Sequence, residues 1–341
     1  MIKNTNKLNQ YKNERFLNFY TMYEKEITPC IEKYEKTRIK YAILFIILAI
    51  LTTVLLERFI ILDFSLGAVI SIGLFDFFAI SIIYDKINFK LKNKIKQTFI
   101  PKIIQTLGEI HWNTGKAIIS NTIIEKSKLF GDYNIRSNDD VLEGKYNGIE
   151  FKVSETNLSY ESGSGDEHTV STVFNGIIIL IGSNKETKAH TIIETKVNTI
   201  KKIIKKISIS VLLLWISILS IGNGIHTNNI AALVVGIVLP LVIILFIFPK
   251  NQMMSMNLED PDFNKKYIVT TDDQVEGRYL ITTGFMERFK NLQTAFGTKN
   301  VKCAFFDNTI MFAIHTNKDF FELSGGLFHS LKNPKQVKAF Y

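Results

Sequence analysis

From residue 207 to residue 249 the chain carries no Lys, Arg, Asp or Glu, a 43-residue run bounded by Lys206 and Lys250. Two polar, water-compatible regions flank it, so the run must be buried on all sides or lie in lipid. It divides into an apolar stretch at 207–221, a polar centre at 222–229 and a second apolar stretch at 230–248. Each apolar part comes close to the ~20 residues that a helix needs to cross a hydrocarbon core of roughly 30 Å. Water is absent there, so each pass must satisfy its own backbone groups and is expected to be helical. Gly222, Gly224 and the neighbouring Asn residues predict a tight turn at the far interface, and Pro240 predicts a kink in the second pass rather than a break. A hairpin buried in a soluble protein would show an amphipathic pattern; these stretches are apolar all round.

A second hydrophobic pair lies nearer the N-terminus. Residues 41–56 are uncharged and extend through Glu57 and Arg58 to Leu62, and residues 64–84 are interrupted only by Asp76. The first 40 residues are polar and helical in character, which argues against a secretory signal. The expected count is therefore four passes in two hairpins. Lys and Arg set the orientation: Arg38 and Lys40 precede the first pass, Lys86, Lys90, Lys92, Lys94 and Lys96 follow the second, Lys201, Lys202, Lys205 and Lys206 precede the third, and Lys250 follows the fourth. The tips carry only Arg58 between them. The sequence thus predicts a multi-pass protein of the bacterial cytoplasmic (inner) membrane with both termini cytoplasmic. Cys30 and Cys303 both fall on the cytoplasmic side and need no disulfide. The net charge of +9 is explained by basic residues at membrane boundaries meeting anionic headgroups. Membrane lipids are the expected contact, and no basic face interleaved with exposed aromatics points to nucleic acid.

Outside the hairpins the chain reads as α+β. Phe16, Phe19, Tyr20, Tyr23, Ile27, Cys30, Ile31 and Tyr34 recur at helical spacing, and Ile87, Leu91 and Ile95 form a matching stripe beyond the second pass. The two helices are expected to pack as an antiparallel stalk, interrupted at Pro29 and Pro101. The alternating segments 141–146 and 149–160 flank Asn147-Gly148, which predicts a type I′ hairpin. Strands follow at 170–181 and 267–271. Phe285, Phe289, Leu292 and Phe296 mark a helix closed by Gly297. Val301, Cys303 and Phe305 then alternate, Asp307-Asn308 turns, and Ile310, Phe312 and Ile314 alternate again. Neither side of the insert has strands enough for a sheet, so one composite cytoplasmic domain is expected. The organisation read from the sequence is a cytoplasmic amphipathic helix at 1–40, a transmembrane hairpin at 41–84, a cytoplasmic helix with the first half of the α+β domain at 85–206, a second transmembrane hairpin at 207–249, and the second half of the domain at 250–341.

Chemistry-bearing patterns are few. The sequence has no His-Glu-x-x-His, phosphate loop, dinucleotide glycine fingerprint or Gly-x-Ser-x-Gly elbow, and no cofactor is expected. Asp260 and Asp262, with Asp272, Asp273 and Glu276, are acidic enough to suit a hard cation, although Asp before Pro or at a turn more often caps a helix. Glu276 and Arg278, two apart, would share a face on a strand. Asp76 near the middle of a pass costs about 2.5–3.5 kcal/mol on insertion scales, so it should face other helices, with Ser71, Ser210, Ser217, Thr52 or Thr53 as hydrogen-bond partners, or contact a proton or cation.

Leu258-Glu259-Asp260-Pro261-Asp262-Phe263, the run from Asp272-Asp273-Gln274-Val275-Glu276-Gly277-Arg278 to Thr282, and Phe285-Met286-Glu287-Arg288 resemble the core motif of the bacterial family catalogued as domain of unknown function 3137. The segment from Glu143 to Phe151 and Phe174-Asn175-Gly176 are similar to its upstream hairpin and strand. The resemblance covers most of residues 100–330 outside the insert, which stands where that family usually has a soluble connection. It implies a membrane-anchored cytoplasmic domain with an N-terminal pair of membrane helices and carries no activity. Asp272, Asp273, Gln274, Glu276 and Arg278 are the candidate ligand or partner residues. The leading expectation is a binding or scaffold module at the membrane surface, with a protein partner or self-association. The alternatives are a transporter or channel component using Asp76, and a membrane-bound enzyme with an acidic site around Asp260 to Glu276.

Overall fold

The computed structural model describes residues 21, 23–62, 65–105, 108–163, 168–183, 186–227, 229–247, 253–322 and 325–332. They fall into two units: Met1–Trp112 with Asp319–Tyr341, and Asn113–Lys318. Phe16, Phe19, Tyr20 and Lys250 lie outside the described residues.

The first unit is built on two long helices. A π-helical turn, Tyr23–Ile27, leads into α1 (Thr28–Ile61), and α2 spans Leu66–Gln105. They run antiparallel, with Lys102 close to Glu26, Phe45 against Tyr84 and Gly73 against Leu56. The stripes meet as expected: Ile27, Ile31 and Tyr34 are buried against Leu91, Ile95 and Phe99. Pro101 lies within α2, which continues to Gln105. Towards the middle of the helices the packing opens outward, and Ile47, Ile50, Leu51, Phe75 and Phe77 are exposed, the pattern of a surface that meets lipid. A segment near the C-terminus also belongs to this unit. Leu327 and Leu331 are buried in the same cluster, Phe328 stacks on Tyr84 at 6.0 Å, and the Leu327 and Leu331 N–H groups donate to Asn88 Oδ1 and Glu35 Oε1 at 2.7 and 2.8 Å. The sheet unit ends at Lys318, so the stretch expected at 250–341 divides between the two units, because Leu327 and Leu331 find their apolar partners on the helices.

The second unit is organised by a nine-stranded antiparallel sheet. After β1 (Ile110–Thr114), within which the second unit begins, its elements are α3 (Asn121–Lys126), β2 (Ile135–Tyr146), β3 (Ile149–Ser162), β4 (Thr169–Gly182), β5 (Thr191–Thr195), α4 (Lys196–Thr227), α5 (Ile230–Ile247), β6 (Met254–Met256), α6 (Pro261–Lys266), β7 (Tyr267–Thr271), α7 (Gln274–Leu280), α8 (Thr283–Phe296), β8 (Val301–Phe306) and β9 (Thr309–His315). The strand order is β1-β2-β3-β4-β9-β8-β5-β7-β6. β5, made before the charge-free run, lies between β8 and β7, made after it, so strands from both sides of the insert share one sheet. Asn147 and Gly148 have φ of 51° and 80°, the two positive values a type I′ turn requires. Gly297 closes α8 at φ 63°.

Both faces of this sheet are covered. On one, Phe263, Leu280, Met286 and Phe289 pack on Ile193, Tyr267, Val269 and Cys303. Phe263, Tyr267 and Phe289 form an aromatic knot with centroids 4.6–6.0 Å apart, and such rings are worth about 0.5–1.5 kcal/mol per pair beyond their area. On the other face, Ile124 and Leu129 cover Ile178, Ile192, Ala304 and Met311.

Among the described residues, three helical stretches are long and apolar enough to cross a membrane: Tyr23–Arg58, Gly67–Gln105 and Ile207–Thr227. The expected fourth pass corresponds to the 18-residue helix α5, which carries Pro240 within it; residues 248–252 lie outside the described residues. The expected turn at 222–229 is shorter than the sequence implies. α4 continues through Gly222 and Asn223 to Thr227, where the Thr227 hydroxyl donates to Asn223 O, and Asn229 Oδ1 accepts from Ala231 N at the start of α5. The two helices touch closely. Ser217 Oγ donates to Gly236 O at 2.6 Å, and a Cβ on Gly236 would collide with Ile221, the small-residue contact by which apolar helices associate. Asp76 lies in α2, where three of its expected partners bond within their own helices: Ser71 donates to Gly67 O, and Thr52 and Thr53 to Ala49 O.

Candidate functional site

The acid-rich motif lies around α6, β7 and α7. Asp260 caps α6: Oδ1 accepts from Asp262 N and Phe263 N at 2.8 and 3.1 Å, Pro261 occupies the first turn, and Oδ2 pairs with Lys290 at 2.7 Å. The Lys290 hydrogen bond, helped by these backbone donors, holds the Asp260 carboxyl below its usual range. Asp262 pairs with Lys265 at 3.0 Å. Asp273 caps α7, with Oδ1 accepting from Val275 N at 2.7 Å and Glu276 N at 3.2 Å. Asp272 Oδ2 accepts from His190 N at 3.4 Å. Glu276 reaches sideways to accept Lys188 N and Ala189 N at 2.8 and 3.1 Å, so its carboxylate fastens the chain entering β5.

Asp260, Asp272, Asp273 and Glu276 therefore accept from backbone N–H groups, while Asp262 and the second Asp260 oxygen pair with lysines. Gln274 and Arg278 lie on the exposed side of α7 beside Val275 and Tyr279, which are 80% and 63% exposed. On a strand Glu276 and Arg278 would share a face; the segment is instead helical, because Asp273 caps it and Gly277 is buried against Met256 and Thr271. A Cβ on Gly277 would lie 2.9 Å from Met256 Cε.

His190, just before β5, is 8% exposed, its ring set edge-on to Phe306 at 5.6 Å. Its Nε2 is buried with no hydrogen-bond partner among the described residues. Burial and the Lys128 charge lower its pKa, only partly opposed by Asp272, the Ser127 carbonyl and Asp307. A histidine held neutral in this way contributes fully above its unfolded pKa of about 6.5, and that contribution is lost as pH falls from there towards the lower folded value. Urea midpoints of the wild type should fall as pH is lowered from about 7.5 to 5.5, and His190→Phe should flatten that slope; an unchanged slope counts against the assignment.

Two further constellations had no clear sequence signal, one because a register shift within a hairpin makes it and the other because distant segments assemble it. A register shift in β2 between Asn138 and Val141 sets Asp139 and Asp140 against Glu155 on β3, with carboxylate oxygens within 4.8 Å of one another. Oxygen donors of this kind suit a hard divalent cation. On the α3 side of the sheet is a cleft of about 380 Å³. Phe130 and Phe174 meet edge-on at 4.9 Å within it, and His315 lies 6.0 Å from Phe174. Lys302 also lines it, bonded to Leu129 O at 2.7 Å and Glu194 at 3.2 Å. With its cation already matched, the cleft offers aromatic surface, an imidazole and the Asn300 and Thr172 side chains, a set suited to holding an uncharged group.

The fold and these sites define an α+β domain on an antiparallel sheet, joined to helices apolar enough to span a membrane, with its acidic motif engaged by backbone N–H groups and by Lys265 and Lys290. Residues 172–341 match the family described as Protein of unknown function (DUF3137), and this part of the chain is a member of it. The matched span starts within β4, so the hairpin at Glu143 to Phe151 lies outside it. Neither a curated protein nor a solved structure matches the chain.

Proposed function

We propose that this is a multi-pass protein of the bacterial cytoplasmic membrane, with four passes and both termini inside, whose sheet unit is a binding or scaffold module at the membrane surface. The observation that carries this reading is the direct join of module to span. α4 begins at Lys196, the residue after β5 ends, and runs without a break into the candidate span Ile207–Thr227. A central strand is thereby continued into the apolar helix. The basic residues beside the spans support the orientation, and Lys90 lies over the Tyr41 ring at 5.9 Å, as side chains at an interface do. The cleft supports binding over catalysis, since the acidic motif is occupied by backbone donors and by Lys265 and Lys290.

A photo-crosslinking aromatic residue at Phe130, in the full-length protein in its membrane, tests the module. Discrete adducts that are lost on Phe174→Ala support it. Absence of any adduct other than lipid overturns it.

A further inference from the structure

β4 is longer than its neighbour on one side. β3 pairs with it from Thr169 to Ile181, whereas β9 pairs only with Gly176 to Gly182. The Thr316 N–H closes that ladder on Asn175 O at 3.0 Å. Among the described residues, 169–174 therefore have a strand along one edge and none along the other. Natural sheets guard such edges with Lys, Pro, an inward charge or a covering element, because unpaired N–H and C=O groups template another strand. This edge reads Thr169-Val170-Ser171-Thr172-Val173, with no charge and no Pro, and four of its five residues are β-branched. Val170 is 55% exposed. Its one irregularity is at the inner end, where the β3–β4 register passes from Leu158 opposite Phe174 to Ser159 opposite Thr172 and leaves Val173 as an extra residue, so the regular part of the edge is Thr169 to Thr172.

The segment is also complementary to itself. Antiparallel pairing about a two-fold axis at Ser171 sets Val170 opposite Thr172, so no like charges oppose one another and β-branched side chains meet across the ladder. Thr172, Val173 and Phe174 line the cleft, so a strand added here passes its mouth. We infer that a second copy of this chain pairs with this edge, β4 against β4, which rests on the reading of the sheet unit as an interaction module. A ladder this short buries less than the ~1,200 Å² of a stable interface, so the pairing depends on crowding of copies in one membrane, where effective concentration substitutes for area.

The test uses full-length Cys30→Ser protein in membranes, with the buried Cys303 left in place. Opposed Cα atoms in an antiparallel pair are about 4.5–5.5 Å apart, within disulfide reach. Ser171→Cys should give an oxidised dimer and Ser137→Cys, on β2, should not. Val170→Lys should cut the Ser171→Cys dimer about tenfold and leave the urea midpoint unchanged. Dimer no stronger than at Ser137, a cross-link chiefly to a different protein, or a dimer indifferent to Val170→Lys each overturns the proposal. Adducts at Phe130 without the Ser171 dimer would remove β4 pairing and keep the module; loss of both would remove the module as well.

Discussion

Replacing Gly176 by alanine should lower the stability of the sheet unit by about 3–5 kcal/mol, one of the larger effects a single methyl can have. Gly176 lies in β4 between Thr156 on β3 and His315 on β9, at φ 152°. A Cβ there would collide with the Ile314 carbonyl oxygen and lie 2.9 Å from Thr316 N and 3.0 Å from His315 Cα. All three obstacles are backbone atoms in a ladder, so no side chain can rotate away. The conformation is also one that side chains rarely adopt. Urea unfolding followed by circular dichroism measures the loss, and a shift of less than about 1 kcal/mol would show that the β9 end gives way more easily than its pairing implies.

Glu35→Ala should release residues 325–332 from the helical unit, with a loss of about 3 kcal/mol. Glu35 is 4% exposed; it accepts from Arg38 Nε and from Leu331 N, both at 2.8 Å, while Arg38 also donates to Leu327 O at 3.0 Å. Burial alone would raise the Glu35 pKa, yet the hydrogen bonds from Arg38, Leu331 and Ser330 hold it below its usual value. Stability from such a carboxylate is complete above its unfolded pKa and disappears as pH falls through the folded one. Removing it strands a guanidinium whose side chain is only 15% exposed. Amide hydrogen exchange at Leu327 and Leu331 reports the release directly. Glu35→Gln, which keeps the shape and loses the charge, should fall between the two, and equal protection in all three proteins counts against the latch.

Elements with a strong local signal were legible from the sequence. Asn147-Gly148 requires one turn geometry, the Phe285, Phe289 and Phe296 stripe with Gly297 marks α8 and its end, and the alternation from Val301 to Ile314 gives β8 and β9 because each strand has two different faces. β5 was missed for the opposite reason. Thr191, Ile192 and Ile193 are all buried, so a central strand covered on both faces shows no alternation. The two-residue spacing of Glu276 and Arg278 would bring them to one face only on a strand, whereas the Asp273 cap and the tight contacts at Gly277 make the segment helical. The acidic residues were recognised as a group, but their work on backbone N–H groups of distant segments becomes visible only when β5 and β7 are side by side. The cleft at Phe130, Phe174 and His315 joins segments nearly 200 residues apart, and no local pattern announces it.

The position of β5 between β8 and β7 also sets an order of events during synthesis. β5 leaves the ribosome before α4 and α5, and both of its neighbours follow them. Closing this part of the sheet must therefore wait for about a hundred residues, a long-range closure of the kind that slows folding. Until β7 is made, Ile192 and Ile193 have neither of their neighbouring strands. A chain stalled within α4 or α5 would present an unpaired, apolar strand to chaperones and proteases, so completion of the sheet acts as a checkpoint that the apolar helices have already been made.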